Sequence, residues 1–283
     1  GMLLMTISMA FLVAGDSAVK LLSASYSPFV LIFSMGFAAV LIFGAVARLS
    51  GNSLWDQRAF GRAALFRSVA EIAAACAMVV ALRNTTLSLV TMVVQAMPLL
   101  VTIGAVIAFQ EVVGLRRWVA ILIGFLGVVL IVGPVGADSS NGWFFALLAA
   151  LAISVRDLAS RAVPKEVSTS QIAGWGGIAM MIGGLLAHLI SGDPLPSPQS
   201  TDLFPFVVLV IGLAVGVFSV SAAMRLGDVS VVAPFRYTRL PFGLMVGVLF
   251  FDERLTGNMI AGTCIVVASG LYIWWREARA TKS

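Results

Sequence analysis

Charge is what this sequence has least of. Only 11% of its 283 residues are Asp, Glu, Lys or Arg, against about 25% in an ordinary soluble domain. With 60% hydrophobic residues and a mean hydropathy of +1.04, the chain lacks the polar surface to cover a water-exposed globule. A soluble fold is excluded. Cysteine is scarce too: Cys76 and Cys264 each sit inside an apolar run, so neither a disulfide framework nor a thiolate metal site has its spacing. One histidine, His188, and no paired acidic metal motif or His–Asp couple at membrane depth argue against an embedded enzyme. No cofactor and no metal are expected. The first apolar run lacks the basic start and cleavage site of a secretory signal, so it reads as a retained helix, with Gly1 before Met2 a cloning remnant.

What is abundant is long apolar runs. They fall at 3–22, 28–47, 64–82, 85–109, 116–133, 143–159, 170–191, 203–223, 229–250 and 257–275, each near the roughly 20 residues that span a bilayer. None alternates with period two, and a segment in lipid must satisfy its own backbone, so ten transmembrane α-helices are expected. The net charge of +5 and pI near 9.8 do not imply nucleic acid, because the basic residues flank the apolar runs. Twelve lysines and arginines, Arg156 among them, collect at one membrane face, against Arg83 and Arg254 at the other. This bias predicts cytoplasmic N- and C-termini in a multi-pass protein of the bacterial inner membrane.

At an offset of 142 residues the two halves resemble each other: Arg83 matches Arg225, Ser88 Ser230, Val90 Val232 and Glu111 Glu253, with Pro98 one residue out of step with Pro241. The division expected is 1–137 and 138–283. Five helices per copy is an odd number, so the second copy enters the membrane from the opposite side and the repeats are inverted, a basis for alternating access.

The first of these stretches, 83–134, carries Pro98, a short turn with Glu111, and a helix bearing Gly124 and Gly127; the second, 225–272, contains APFRYTRLPFGLMVGVLFFDERLTGNMIAG. Together they resemble the paired EamA-like repeats of the drug/metabolite transporter superfamily, and the whole chain is similar to its ten-helix bacterial aromatic-amino-acid and metabolite exporters. The resemblance implies a basket-like bundle with a central cavity lined by helices 1, 3, 4, 6, 8 and 9, helices 5 and 10 being peripheral. It implies a secondary transporter that exports amino acids or similar small amphipathic metabolites. The alternative is an uptake carrier for a larger metabolite such as S-adenosylmethionine or a vitamin.

Six charges lie inside apolar runs, where each costs about 2.5–3.5 kcal/mol without a partner or water. Asp16 and Lys20 are four apart, Arg67 and Glu71 four apart, and Arg236 and Arg239 three apart, so each pair shares a helix face. The surplus of two positive charges suits a zwitterionic or carboxylate-bearing substrate. Candidate binding residues are Arg239, Arg236, Tyr237, Gln95, Glu71, Asp16, Lys20 and Trp175; Tyr237 and Trp175 are candidates for an aromatic wall. Pro98 and Pro241 are candidate hinges. The competing reading has both arginines in fixed salt bridges with Glu71 or Asp16. Glu111 and Glu253 read as helix-end or gate residues, and Gly212-x-x-x-Gly216 and Gly243-x-x-x-Gly247 as packing surfaces.

Overall fold

A computed structural model describes residues 1–55, 61–110, 114–133, 141–164, 166–193, 199–226 and 232–280. All regular structure among them is helical: α1 (Met2–Leu22), α2 (Pro28–Leu49), α3 (Arg62–Asn84), α4 (Leu87–Val94), α5 (Met97–Phe109), α6 (Leu115–Val132), α7 (Gly142–Arg161), α8 (Thr169–Ser191), α9 (Leu203–Leu226), α10 (Arg239–Phe251) and α11 (Gly257–Ala280). Short polar residues start several of them. The Ser27 hydroxyl accepts from Val30 N and is followed by Pro28, Thr86 accepts from Leu89 N, and Ser168 forms a reciprocal capping box with Gln171. Nine spans among the described residues are long and apolar enough to cross a bilayer, with Leu87–Phe109 counted as one.

The tenth expected helix, over 229–250, is not continuous. Its described part is a 3₁₀ segment, Ala233–Thr238, leading into α10. The run 85–109 is likewise cut at Gln95–Ala96, between α4 and α5. Proline supplies the reason. Pro98 and Pro241 have no N–H to give to the residue four positions earlier, so the helix restarts with the proline in its first turn. The two restarted halves match: α5 and α10 both have 13 residues, begin 142 residues apart, and end on left-handed residues, Gln110 (φ 53°) and Asp252 (φ 50°). Among the described residues these are the two non-glycine residues with positive φ.

The helices pair across the halves: α2 packs along α8, α3 along α7, α1 along α9, α6 along α11 and, over a shorter length, α4 along α10. Lipid is as apolar as leucine, so close packing of small residues has to hold such pairs. A Cβ at Gly184 would sit 2.6 Å from the Phe33 nitrogen, and one at Gly212 would sit 2.7 Å from the Phe11 carbonyl oxygen. The 212/216 and 243/247 glycines are packing contacts as expected, against α1 and α4 respectively. The α2–α8 contact through Gly36, Gly177 and Gly184 is stronger than spacing alone suggests.

Candidate functional site

Polar residues converge on the two helix breaks. The Gln95 Nε2, in a side chain 8% exposed, donates to the Arg236 carbonyl at 3.4 Å, joining one break to the other. The Ser154 hydroxyl on α7 lies 3.4 Å from the Met97 carbonyl, just past the first break, while also bonding Ala150 O. Breaks free backbone groups at membrane depth, where no water bathes the lipid-facing side, so such groups are tolerated only against protein or a wet interior.

A chain of ion pairs runs through this region. Arg239 Nη2 donates to Asp16 Oδ2 on α1. Arg236 Nη1 lies 3.9 Å from Asp157, which is held at 2.8 Å by Arg156. Arg156 also donates to Glu71 at 3.0 Å, and Glu71 accepts from Arg67 at 2.8 Å. Arg67 completes its set with Ser160 Oγ at 3.2 Å and Ile172 O at 3.0 Å. The satisfaction is uneven. Glu71 is held by two guanidiniums, whereas Arg236 keeps 35% of its side-chain surface and, among the described residues, has only the long ion-pair contact to Asp157. The Arg239 Nε is buried with no acceptor among the described residues.

Lys20 stands apart from this chain. Its ammonium donates to Thr85 O at 2.5 Å and Leu82 O at 3.3 Å, and lies 3.9 Å from Glu253. Asp16 and Lys20, four apart on α1, take different partners: Asp16 goes to Arg239, and Lys20 reaches the α3–α4 corner. Glu253, read from the sequence as a helix-end or gate residue, has a specific geometry. Its two carboxylate oxygens accept from Leu87 N at 2.6 Å and Ser88 N at 2.8 Å, capping the N-terminus of α4 from another part of the chain. The left-handed Asp252 turns the chain so that Glu253 can reach it. Its repeat partner Glu111 lies outside the described residues.

Four expectations need correction. Arg156 belongs to the interior chain, not to the charged membrane face, because α7 runs on to Arg161 and carries it against Glu71. With Asp157 and Glu253 also inside, the paired interior charges among the described residues are five cations (Lys20, Arg67, Arg156, Arg236, Arg239) and four anions (Asp16, Glu71, Asp157, Glu253), a surplus of one rather than two. Tyr237 does not face the ion pairs; its phenol presses against α11, where a side chain at Gly270 would collide with the hydroxyl. Trp175 is not beside it: its indole donates to Leu54 O at 2.7 Å and meets Trp55 edge-on at 5.4 Å, in a separate cluster with Val163 and Val167. Arg239 satisfies the salt-bridge reading with Asp16, while Glu71 takes Arg67 and Arg156 instead. Asp157, four residues from the end of α7 and in the same place as Asp16 at an offset of 141, was the signal that could have found the missed half of this network.

Comparison with known proteins agrees with this architecture. The EamA-like transporter family matches residues 1–133 and again 140–275. An S-adenosylmethionine uptake transporter of Rickettsia prowazekii is 24% identical over 68% of this chain and 65% of its own length. A riboflavin transporter of Vibrio cholerae is 28% identical over 65% of this chain and 61% of its own. The matched part of the chain thus spans somewhat under two thirds of these relatives. A crystal structure 18% identical in sequence superposes with a TM-score of 0.68 over 99% of this chain and 98% of the other, which speaks for the fold alone.

Proposed function

Since the chain belongs to the EamA-like transporter family, we propose that it is a secondary carrier of a small metabolite bearing a carboxylate, working by alternating access rather than as an enzyme. The observation that carries this reading is the unfinished coordination, among the described residues, of the two arginines at the second helix break: Arg236 with one ion-pair contact at 3.9 Å, and Arg239 with a buried Nε lacking an acceptor. A buried donor without a partner costs about 1–3 kcal/mol. A substrate carboxylate would supply that acceptor, and Asp16 and Asp157 stand ready for an ammonium. Gln95, bound to the Arg236 carbonyl, then ties substrate occupancy to the geometry of both breaks.

The repeat supports the transport cycle. Exchanging the halves converts the α1–α9 pair into the α7–α3 pair and leaves α2–α8 and α6–α11 as they are, which supports two inverted copies forming a basket around a central path. The division at 1–137 and 138–283 follows the same reading. Both termini in the cytoplasm of an inner-membrane protein would put Lys20 and Glu253 at the outer end, where they close it.

Two substrate readings remain. Export of amino acids, aromatic ones included, fits the paired arginines and aspartates. The names of the relatives favour uptake of a larger metabolite, and S-adenosylmethionine carries the same amino-acid head, so that reading now leads; riboflavin has no such head. Purified protein in liposomes, loaded with labelled S-adenosylmethionine and challenged with amino acids, riboflavin and sugar phosphates, ranks these classes. Opposed gradients give direction. Arg239→Ala should abolish competition by carboxylate-bearing solutes while the protein stays monodisperse in detergent; undiminished competition removes the arginines from the site.

A further inference from the structure

At the end of the bundle opposite Glu253, where α6 begins and α11 ends, Gly114, Leu115, Arg116, Arg117 and Arg276 line a hollow of about 440 Å³. That is more than ten times the roughly 30 Å³ a water occupies in the liquid. Its described lining carries three guanidiniums and no carboxylate, and neither Arg116 nor Arg276 has an acidic partner among the described residues. The Arg116 and Arg276 guanidiniums, gathered in one hollow, repel each other unless an anion joins them.

The surroundings are those of lipid. Above the hollow α6 turns a wholly uncharged face outward, with Leu122, Leu126 and Val129 each 63% exposed. On α11, Tyr272 and Trp275 are partly exposed, and the Arg279 guanidinium lies 4.0 Å over the Trp275 ring. Aromatic residues with arginines one turn away mark the headgroup level of a membrane. We infer that this hollow binds the phosphate-bearing headgroup of an anionic phospholipid, with the acyl chains laid along the outer face of α6. Arg116 and Arg276 hold the phosphate from two helices at once and so fasten the α6–α11 pair at its open end. The site is separate from the interior ion pairs and does not depend on what the protein carries.

The test uses the full chain in detergent, with phosphatidylglycerol and phosphatidylcholine as probes read by native mass spectrometry. Each arginine near an anionic lipid contributes about 1 kcal/mol, so Arg116→Gln with Arg276→Gln should lower the preference for phosphatidylglycerol about 30-fold, at about 1.4 kcal/mol per decade. An unchanged preference in a monodisperse double variant overturns the assignment. So does full competition by inorganic phosphate, which would make the site one for a soluble anion. A second measurement needs no variant: a photoactivatable phosphatidylglycerol should label wild-type peptides from 114–130 and 272–279, and labelling confined to other helices overturns the proposal.

Discussion

Replacing Glu253 should open the end of the bundle that carries Lys20. In the structure both oxygens of this residue, 9% exposed, accept backbone N–H bonds from Leu87 and Ser88, which are themselves fully buried. Hydrogen bonds to a charged group contribute about 1.5–3 kcal/mol each. The α4 terminus adds a few tenths to 2 kcal/mol for a negative charge at its positive end. Glu253→Ala removes both bonds and strands two buried donors, a loss of about 3–6 kcal/mol for this closed arrangement. Glu253→Gln keeps one acceptor, so its loss is nearer 2 kcal/mol. In an open arrangement the same N–H groups meet water and lose nothing. The difference therefore enters the equilibrium between arrangements, about 30-fold for Gln at 1.4 kcal/mol per decade. Spin labels at the exposed Arg83 and Thr256, in a chain with Cys76 and Cys264 replaced by alanine, report the span across this end by pulsed electron resonance. The longer distance should gain population in the order wild type, Gln, Ala. Identical distance distributions in all three, with the thermal midpoint lowered, would refute the reasoning and leave Glu253 a static cap.

Asp16→Asn and Asp157→Asn should shift the same distance distribution in opposite directions, because each removes the partner of a different arginine; shifts of one sign would sink the idea that the two acids act at opposite stages. Gln95→Ala should raise the apparent KM for transport several-fold with little change in expression, since it removes a single 3.4 Å bond between the breaks; loss of folded protein instead would mark Gln95 as packing. Gly184→Leu should cost several kcal/mol of stability, with Cβ placed 2.6 Å from the Phe33 backbone. A thermal midpoint within 2 °C of wild type would show that α2 and α8 can slide apart to admit it.

Much of this architecture is written in composition and period. The apolar runs locate the spans because a bilayer demands about 20 apolar residues and closed backbone hydrogen bonding, with no tertiary context needed. The breaks were half legible. Pro98 and Pro241 announce a weak point, yet that the second becomes a 3₁₀ segment from Ala233 depends on Pro234 as well and on how α1 and α11 pack against it. Ion-pair partners were legible in part: Arg67 with Glu71 follows from a spacing of four, and Arg239 with Asp16 was one of the salt bridges the sequence offered, whereas Lys20 at the α3–α4 corner and Arg156 on Glu71 are brought together only by the fold. Arg156 was misread because it falls within the run 143–159 but was assigned to the charged face by its sign and its place near the helix end, whereas the fold carries it against Glu71 and Asp157.

The interior charges obey the repeat only in part, and the exception is where function belongs. Asp16 and Asp157 occupy corresponding places on α1 and α7, the first helix of each half. Arg236 and Arg239 have no such counterparts: at an offset of 142 their places fall to Val94 and Met97. Two related acids therefore face one pair of bases. In this structure the pairing is unequal, with Asp16 bonded to Arg239 and Asp157 3.9 Å from Arg236. A cycle that exchanges the roles of the halves must exchange this inequality, tightening Asp157 as Asp16 lets go. On the proposed carrier reading, a carboxylate arriving from one side would compete with the looser acid, and the tighter acid would keep its own arginine from lying unpaired, which in a buried pair would otherwise cost about 3–5 kcal/mol. On the same reading, the single positive charge in excess among the described interior residues would attract an anion without holding it once both acids compete.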